Sequence, residues 1–388
     1  MFLNVEDYRV RAKKNLPKFV CDFVDGGAED ESCLRRNLRD IEQIALLPSC
    51  LRDVSNIDTS IEIFGERWKL PIAVAPTGFN GLIRPEADVM LARAAARAGI
   101  AFTLSTASNV RLERVRAEAG GINWFQLYVM SDRTIAAQMI ARAKRAGFSA
   151  LVLTVDVPVS GHREKDTRNG FKLPFRPTLG TLLNICAHPM WLARFARTGM
   201  LAFTNLSESE NAAASAQAQA ALLSRAMDRS MVWDSLKWLR AQWEGPILLK
   251  GLLHPEDAKR AIAHGMDGII VSNHGGRQLD AAPATIQSLP AVAEAVEGRI
   301  PVLVDSGFRR GSDIVKALAL GARAVLIGRP VLYGRASDGE AGASAVLDIL
   351  GTELVRTMTL IGAARIDDIH SGHIWRPIYP VQQGASHV

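Results

Sequence analysis

Short apolar runs alternate with longer amphipathic stretches from residue 71 almost to the end of the chain. Each run ends in polar or glycine-rich residues, as buried strands of parallel sheets do. The runs are 71–78, 101–108, 124–129, 150–158, 246–251, 268–276, 301–307 and 324–330. The stretches that follow them, such as 86–99 and 132–147, have a helical period, and several end at glycine. Eight strand–helix units in alternation predict an α/β fold, a closed (β/α)8 TIM barrel over residues 71–365.

Residues 1–65 lack this alternation and predict a helical extension that precedes the barrel. Residues 5–15 and 17–25 have helical patterns, and Gly26 with Gly27 ends the second one. Residues 57–68 alternate enough to predict a small hairpin that plugs one end of the barrel. Because α/β barrels use this much sequence as one unit, the chain 1–388 is interpreted as a single domain.

A long insert separates the fourth predicted strand from the fifth. Its first part, 170–205, is apolar and interrupted by proline and glycine, which makes it too irregular to span a bilayer. Its cationic and aromatic residues are typical of a segment that lies in a membrane interface. These residues are Lys172, Arg176, Arg194, Arg197, Phe171, Phe175, Trp191, Phe195 and Phe203. The alternatives are a lid on the active site or an oligomer contact. The second part, 211–243, predicts an alanine-rich helical return to the barrel.

The composition narrows the range of partners. Of 388 residues, 48% are apolar and 22% are charged, so a large core can form. The net charge of +6 suits an anionic small molecule or an anionic membrane, and the lack of Lys/Arg runs with interleaved aromatics argues against nucleic acid. Four cysteines without CxxC spacing predict reduced thiols in a cytoplasmic protein and no metal site. The acidic amino terminus has no apolar segment, so we expect no signal peptide.

The run 268–276 and the residues after it carry the most informative chemistry. An apolar strand leads into Ser272, Asn273, His274, two glycines and Arg277. A histidine at the carboxyl end of a buried barrel strand can take a proton near neutral pH. The arginine offers a planar fork to a carboxylate or phosphate. The alternative is a loop histidine bonded to its neighbours, with the arginine in solvent.

Residues at the ends of the other strands are expected to converge on the same site. Residues 305–309 and 328–329 follow the seventh and eighth strands, where barrels commonly hold a phosphate. Donors suited to the rim of a heterocycle are Ser105, Gln126, Thr154 and Lys250. Tyr128, Arg163 and Arg277 remain to hold an anionic substrate beside His274.

The ordered set of motifs resembles the FMN-dependent L-2-hydroxy acid oxidases and dehydrogenases over nearly the whole chain. The motifs are LPK (16–18), GGAED (26–30), WFQLY (124–128), LTVD (153–156), KG (250–251), SNHGGRQLD (272–280), DSGFRRG (305–311) and GRP (328–330). Each motif alone is weak, but the set in this order is highly specific. The resemblance implies FMN-dependent oxidation of an L/(S)-2-hydroxy acid to the 2-keto acid.

The resemblance also implies a role for each polar residue of the substrate site. His274 is the base that takes a proton from the substrate, and Asp156 supports the resulting imidazolium. Arg163 and Arg277 bind the substrate carboxylate, and Tyr128 hydrogen-bonds a substrate oxygen. Whether the substrate carbon gives up a proton or a hydride is open at this point.

The expected cofactor is FMN. Lys250 is expected at the N1 side of the flavin, where a positive charge stabilises the reduced ring. The residues expected to bind FMN are Pro76, Thr77, Gly78, Ser105, Gln126, Thr154, Lys250, Ser272, Asp305, Gly307, Arg309, Gly328 and Arg329.

One substrate-site position departs from the family pattern. The family usually has a tyrosine in a Tyr-Asp-Tyr stretch near the start, where this chain has Cys21, Asp22 and Phe23. Phe23 keeps the ring but lacks the hydroxyl. A charge-assisted hydrogen bond to the substrate carboxylate, worth about 1–3 kcal/mol, is therefore expected to be missing.

Residues 76–81, 104–109 and 305–316, together with the apolar insert, are most similar to the members of the family that oxidise mandelate. This implies an aromatic substrate such as mandelate, a quinone or membrane electron acceptor, and a peripheral position on the cytoplasmic membrane. Gly78 supports such an acceptor, because the oxidases tend to have alanine there. L-lactate as substrate, an oxygen-using oxidase that makes hydrogen peroxide, and an FMN-dependent isomerase are the alternatives. The family also implies a homo-oligomer, commonly a tetramer.

Overall fold

A computed structural model describes residues 1–171, 177–198, 203–206 and 227–375 of the chain. The strands of these parts are β1 (Ile61–Ile63), β2 (Glu66–Trp68), β3 (Ile72–Val74), β4 (Ala101–Ser105), β5 (Asn123–Leu127), β6 (Ala150–Thr154), β7 (Ile247–Leu252), β8 (Gly268–Val271), β9 (Val302–Val304) and β10 (Ala324–Ile327). The last eight, β3 to β10, pair in parallel and close into a barrel in which β10 lies between β9 and β3. The predicted (β/α)8 barrel is confirmed.

Helices cover the outside of the barrel and its amino-terminal flank. The α-helices of the described parts are α1 (Val5–Asn15), α2 (Lys18–Asp25), α3 (Ser32–Glu42), α4 (Ala87–Ala98), α5 (Leu112–Ala119), α6 (Arg133–Ala146), α7 (Glu164–Arg168), α8 (Leu179–Cys186), α9 (Pro189–Thr198), α10 (Ser235–Gln242), α11 (Pro255–Ala263), α12 (Thr285–Val296), α13 (Gly311–Ala319) and α14 (Arg329–Ile361). Asp338 and Gly339 are not helical, so α14 is two helices joined at a kink. Short 3₁₀ turns occur at Asn80–Leu82, Ile366–Asp368 and Ser371–His373.

The barrel strands are buried on both faces. Every residue of β4, β5 and β6 is buried, because side chains fill the barrel on one side and helices cover the other. This explains why the strands appear in the sequence as continuous apolar runs rather than as alternating patterns. Several helices end at a left-handed glycine, such as Gly99 after α4 and Gly147 after α6, as their sequences predict.

The predicted hairpin consists of β1 and β2, and it closes the amino end of the barrel. Trp124 is the second residue of β5, so its ring marks the end at which the strands begin. The Trp68 ring of the hairpin lies 5.2 Å from the Trp124 ring, and the Phe64 ring lies 5.9 Å from it. Because packed aromatic side chains close this end, an active site can form only at the carboxyl end of the barrel.

The insert between β6 and β7 has an inner side and an outer side. Trp191 of α9 is buried, donates its indole N–H to the Leu82 carbonyl at 2.7 Å and meets the Phe19 ring edge-on at 5.7 Å. On the outer side Leu179 is 75% exposed and Met190 is 69% exposed. Part of the insert therefore packs on the barrel as a lid would, and part presents apolar surface.

Several predictions for the insert fall outside the described residues. These concern Lys172, Phe175, Arg176, the side chain of Arg197, and the alanine-rich return before residue 227. Among the described helices, none has both the length and the apolar character that crossing a bilayer requires.

Candidate active site

A cavity of about 700 Å³ opens at the carboxyl ends of the barrel strands. Its wall contains most of the predicted site residues: Phe23, Pro76, Thr77, Gly78, Ser105, Tyr128, Arg163, Lys250, His274, Arg277, Asp305, Gly307, Arg309, Gly328 and Arg329. Four predicted residues do not line the cavity but lie close behind its wall, namely Gln126, Thr154, Asp156 and Ser272. The convergence that the sequence predicted is therefore present.

His274 lies between a phenol and a carboxylate. Its Nδ1 is 3.0 Å from Asp156 Oδ1, and its Nε2 is 3.4 Å from the Tyr128 hydroxyl. The backbone of His274 is left-handed (φ 59°), and its N–H donates to Ser272 Oγ at 3.1 Å. The unusual backbone angle turns the ring toward the cavity and away from the strand axis. Because Nδ1 faces a carboxylate, it carries the proton in the neutral ring, and Nε2 is available as the base.

Asp156 remains ionised beside this ring. Burial alone raises its pKa, but the ring of His274 and the ammonium group of Lys250 outweigh burial, and the net shift is downward. Its Oδ2 atom is buried and has no hydrogen-bond partner among the described residues. Burial raises the pKa of Tyr128, and the charge of Asp156 raises it further, so the phenol stays protonated.

Two arginines face the same part of the cavity. Arg277 Nη1 donates to the carbonyls of Phe23 at 2.6 Å and Gly26 at 2.9 Å, and its guanidinium lies 5.1 Å from the centre of the Phe23 ring. Arg163 has a weak ion pair with Asp166 at 3.8 Å. Among the described residues Arg277 has no ion pair with a carboxylate, and Arg163 has only this long one.

The charge of Arg277 is therefore costly in this structure. Burial lowers its pKa well below the usual value, and the positive charges of Arg163 and Arg329 lower it further. Buried charges are stabilised only by good partners, so these two guanidiniums favour the entry of an anion. A planar carboxylate matches the fork of a guanidinium.

Lys250 is held by a buried network at the floor of the cavity. Its Nζ lies 3.0 Å from Asp305 Oδ2 and donates to Ser272 Oγ at 2.8 Å. Burial alone lowers the pKa of Lys250, but the carboxylates of Asp305 and Asp156 outweigh it, and the net shift is upward. Asp305 thus acts as the counterion of Lys250, which the sequence motif did not indicate.

The two arginines of the predicted phosphate corner have different surroundings. Arg329 donates to the carbonyls of Val24 at 2.9 Å, Gly275 at 3.0 Å and Gly26 at 2.8 Å, so its guanidinium ties the amino-terminal segment to the barrel. The guanidinium of Arg309 donates only to the carbonyl of its neighbour Phe308 among the described residues and lies 6.0 Å from the Tyr333 ring. Arg309 is therefore the better placed of the two to reach an anion.

A group of four phenylalanines, which we call the phenylalanine wall, lines the cavity near Arg277. Its members are Phe23, Phe79, Phe171 and Phe203. The Phe23 ring lies 5.3 Å from that of Phe171 and 6.3 Å from that of Phe79, and the Phe79 ring lies 5.0 Å from that of Phe203. Three of the four were not predicted as site residues. No local pattern identifies them, because they come from segments far apart in the chain.

The residues present fit FMN, the cofactor that the resemblance implies. Gln126 is buried, its Oε1 accepts from Ser105 Oγ at 3.0 Å, and its Nε2 has no partner among the described residues. A Cβ on Gly78 would lie 2.8 Å from the Ala107 Cβ, so this part of the wall has no space for a side chain. Ser105, Gln126 and Lys250 would hold the polar rim of the ring, and Arg309 with the 306–307 backbone would hold the phosphate.

Comparison with known proteins supports FMN as the cofactor. The model of the FMN-dependent dehydrogenase family matches residues 12–376. (S)-mandelate dehydrogenase of Pseudomonas putida is 48% identical over 371 residues, which are 96% of this chain and 93% of that protein. A peroxisomal (S)-2-hydroxy-acid oxidase of Oryza sativa subsp. japonica is 43% identical over 372 residues, 96% of this chain and 95% of that protein.

A solved structure agrees as well. The crystal structure of the monotopic membrane protein (S)-mandelate dehydrogenase matches with a TM-score of 0.93 at 46% sequence identity, and the match covers 97% of this chain and 100% of that one. The chain is an oxidoreductase that belongs to the FMN-dependent dehydrogenase family, and FMN is its cofactor.

Proposed function

We propose that this protein oxidises an (S)-2-hydroxy acid with an aromatic side chain to the corresponding 2-keto acid. The observation that supports this best is the position of His274, between Asp156 and Tyr128 and in the same cavity as Arg163 and Arg277. A base beside two guanidiniums, of which Arg163 has only a long ion pair and Arg277 has none among the described residues, is the arrangement a hydroxy carboxylate needs. The relatives named for mandelate and for 2-hydroxy acids support the same reaction.

His274 takes one proton during the oxidation. The substrate loses two protons and one electron pair when its carbinol becomes a carbonyl, and bound FMN would supply the acceptor for that pair. The proton that His274 does not take leaves with the electron pair if a hydride is transferred, or leaves the hydroxyl if the carbon is deprotonated. Nε2 of His274 accepts a proton either from the carbon or from the hydroxyl, and both routes use the same neutral ring. Asp156 then stabilises the imidazolium through Nδ1, at the observed distance of 3.0 Å.

Arg277 and Arg163 hold the substrate carboxylate, and Tyr128 holds a second substrate oxygen. A bound carboxylate offsets the cost of burying the Arg277 charge, which is the cause of its lowered pKa. It also fixes the carbinol carbon relative to His274. Such positioning accounts for a large part of the rate in a reaction between bound groups.

The phenylalanine wall favours a substrate with an aromatic side chain. Phe23 lines the cavity next to Arg277 and has no hydroxyl that could reach a carboxylate. A ring-bearing substrate buries apolar surface against Phe23, Phe79 and Phe171, whereas L-lactate buries one methyl group. Phe23→Tyr is therefore expected to improve KM for L-lactate by about tenfold, the effect of one charged hydrogen bond, with less change for mandelate.

We further propose that electrons leave through a quinone or another membrane acceptor, and that α8 and α9 lie in the membrane interface. Leu179, Leu183 and Met190 are 75%, 65% and 69% exposed, and such apolar side chains on a positively charged protein suit an anionic bilayer. The relative described as a monotopic membrane protein supports this position. A peripheral homotetramer on the cytoplasmic face completes the proposal, and light scattering in detergent tests the subunit number.

The deciding experiment is an anaerobic titration of the FMN-loaded protein with (S)-mandelate, followed by L-lactate in a fresh sample. We expect (S)-mandelate to bleach the flavin absorbance at lower concentrations than L-lactate does. (R)-mandelate is the control for stereospecificity. No bleaching by either acid would refute the oxidation and leave an isomerase as the better assignment. Peroxide formation in air at the rate of turnover would replace the quinone with oxygen.

A further inference from the structure

Gln278 uses its side-chain amide to join two loops of the active site. Its Nε2 donates to the carbonyl of Asp156 at 2.9 Å and to that of Val159 at 2.8 Å. Its Oε1 accepts from the backbone N–H of Gly161 at 3.0 Å. Both N–H donors of the amide and one of the two acceptor positions of its oxygen are therefore hydrogen-bonded.

The two joined loops carry different halves of the site. The loop after β6 holds Asp156 and leads to Arg163, while the loop after β8 holds His274 and Arg277. More than a hundred residues separate the two loops along the chain, so nothing local sets their relative position. The contact between His274 and Asp156 therefore depends on how the two loops pack against each other. The spacing of Arg163 from Arg277 depends on the same packing.

The junction leaves no room for an extra side chain. A Cβ on Gly161 would collide with the Arg277 carbonyl and would lie 2.8 Å from the Gln278 Cα. A third segment, residues 28–29, bonds to both loops. The Ala28 N–H donates to the Gly276 carbonyl at 2.9 Å, and the Glu29 N–H donates to the His162 carbonyl at 2.8 Å. The backbones are thus in direct contact, and Gln278 supplies the side chain that bonds one loop to the other.

We propose that Gln278 is a positioning residue, which sets the distance between Asp156 and His274 and the spacing of Arg163 from Arg277. This inference rests on the roles proposed above for those four residues. Gln278 also lines the cavity, but its amide is engaged by the 156–161 loop, so the proposal gives it no contact with the substrate. It acts by holding the 156–161 backbone against the residue that follows Arg277. A displacement of about 1 Å in such a site can lower the rate about 100-fold.

The test uses the FMN-loaded protein with Gln278→Met, which removes all three hydrogen bonds and keeps a similar length. Gln287→Met on the exposed face of α12 makes the same chemical change away from the site and is the matched control. We expect anaerobic flavin reduction by (S)-mandelate to slow about 10- to 100-fold in Gln278→Met and not in the control. Its apparent Kd for mandelate should rise as well, because both halves of the site move, and FMN content should be unchanged.

A pH profile and a double-mutant cycle distinguish positioning from a general loss of stability. If Asp156 no longer supports the imidazolium, the acid limb of the rate profile moves to lower pH. Combining Gln278→Met with Asp156→Asn should then cost less than the product of the single effects, because both changes act on one contact. Fully multiplicative effects, or an unshifted profile, would overturn the inference.

Gln278→Asn covers the case in which the methionine variant does not fold. It keeps the amide but is one methylene too short for all three bonds, so an intermediate loss of rate is expected, and a wild-type rate would overturn the inference. Failure of the wild-type protein to reduce its flavin with any hydroxy acid would instead refute the proposed function. The two failures are therefore distinguishable.

Discussion

The two ends of the barrel are built from different interactions. At the amino end Trp68 and Trp124 are completely buried, and their indole N–H groups have no hydrogen-bond partner among the described residues. At the carboxyl end His274 bonds to Asp156, and Lys250 bonds to Ser272 and pairs with Asp305, around a cavity of about 700 Å³. Packing dominates one end, and charge with open space dominates the other.

This difference shows how one fold divides stability from chemistry. Apolar rings that fill the amino end stabilise the fold through the surface area they bury, and this contribution does not depend on the placement of charges. The carboxyl end keeps Arg277 without an ion pair among the described residues, beside Arg163 with only a long one, which costs stability and prepares the site for an anion. Substitutions at the amino end should therefore act mainly on folding, and substitutions at the carboxyl end mainly on turnover.

The largest expected effect is the loss of the base. His274→Ala should slow flavin reduction by at least about 10³-fold, because it removes the Nε2 acceptor beside Tyr128 and the ring that Asp156 supports. Stopped-flow absorbance under anaerobic conditions measures this rate. The variant should stay yellow, and its urea unfolding curve should remain close to that of the wild type. Turnover at the wild-type rate would remove His274 from the mechanism.

The next effect concerns the opposite end and should appear in stability alone. Trp68→Ala leaves a cavity against Trp124 and is expected to lower the free energy of unfolding by about 3–5 kcal/mol. Equilibrium urea unfolding measures the loss. Trp375→Ala, at a residue that is 52% exposed, is the control and should cost far less. A reduced rate per bound FMN in folded Trp68→Ala would mean that the two ends are coupled.

A smaller effect is expected when the carboxylate fork is changed to a point charge. Arg277→Lys should raise KM for (S)-mandelate about 10- to 100-fold, because an ammonium group cannot make the paired bonds of a guanidinium. Steady-state kinetics with a dye acceptor measures it. Arg299→Lys on the surface is the matched control. A fall in kcat with KM unchanged would assign Arg277 to the transition state and not to carboxylate binding.

The smallest effects are opposite pH dependences of stability at the two ends. The pKa of Asp156 is lowered in the folded state, so its stabilisation is present above its unfolded value of about 3.9 and is lost as the pH falls below that value. Desolvation raises the pKa of Glu66 in the hairpin, so ionising it costs stability as the pH rises above about 4.3.

Asp156→Asn should therefore be less stable than the wild type at pH 7, and Glu66→Gln should be slightly more stable. The Glu66 difference should disappear toward about pH 4, whereas the Asp156 difference should persist there and shrink only at lower pH, as the pH falls through the lowered folded-state pKa. Urea unfolding at the two pH values measures the four differences. The same sign for both variants at pH 7 would contradict the contrast between the two ends.

Much of the fold could be predicted because burial sets the spacing of apolar residues along each strand and helix. Strands buried on both faces must be apolar along their whole length, and this is why all the barrel strands were identified from short apolar runs. His274 and Arg277 could be identified as site candidates because polar residues directly after a buried strand have only the barrel mouth to face. The hairpin at 57–68 was predicted for a similar reason, since its alternation matches a sheet with one buried face.

Contacts between distant segments could not be predicted in this way. Asp305 pairs with Lys250, and Arg329 donates to Val24, Gly26 and Gly275, which gives both residues structural tasks that their motifs do not reveal. The phenylalanine wall is assembled from helix α2 and several loops, and an isolated phenylalanine in a sequence is most often a core residue.

The sequence by itself determined the barrel, the end at which chemistry occurs and the residue types that perform it. These follow from hydrophobic periodicity and from the positions of polar residues at strand ends, which are local properties of a chain. Only the tertiary structure decided which charges are compensated, which rings meet and which loops Gln278 joins. The reason is physical: pairing energy and desolvation depend on distances of a few ångströms between segments that are more than a hundred residues apart.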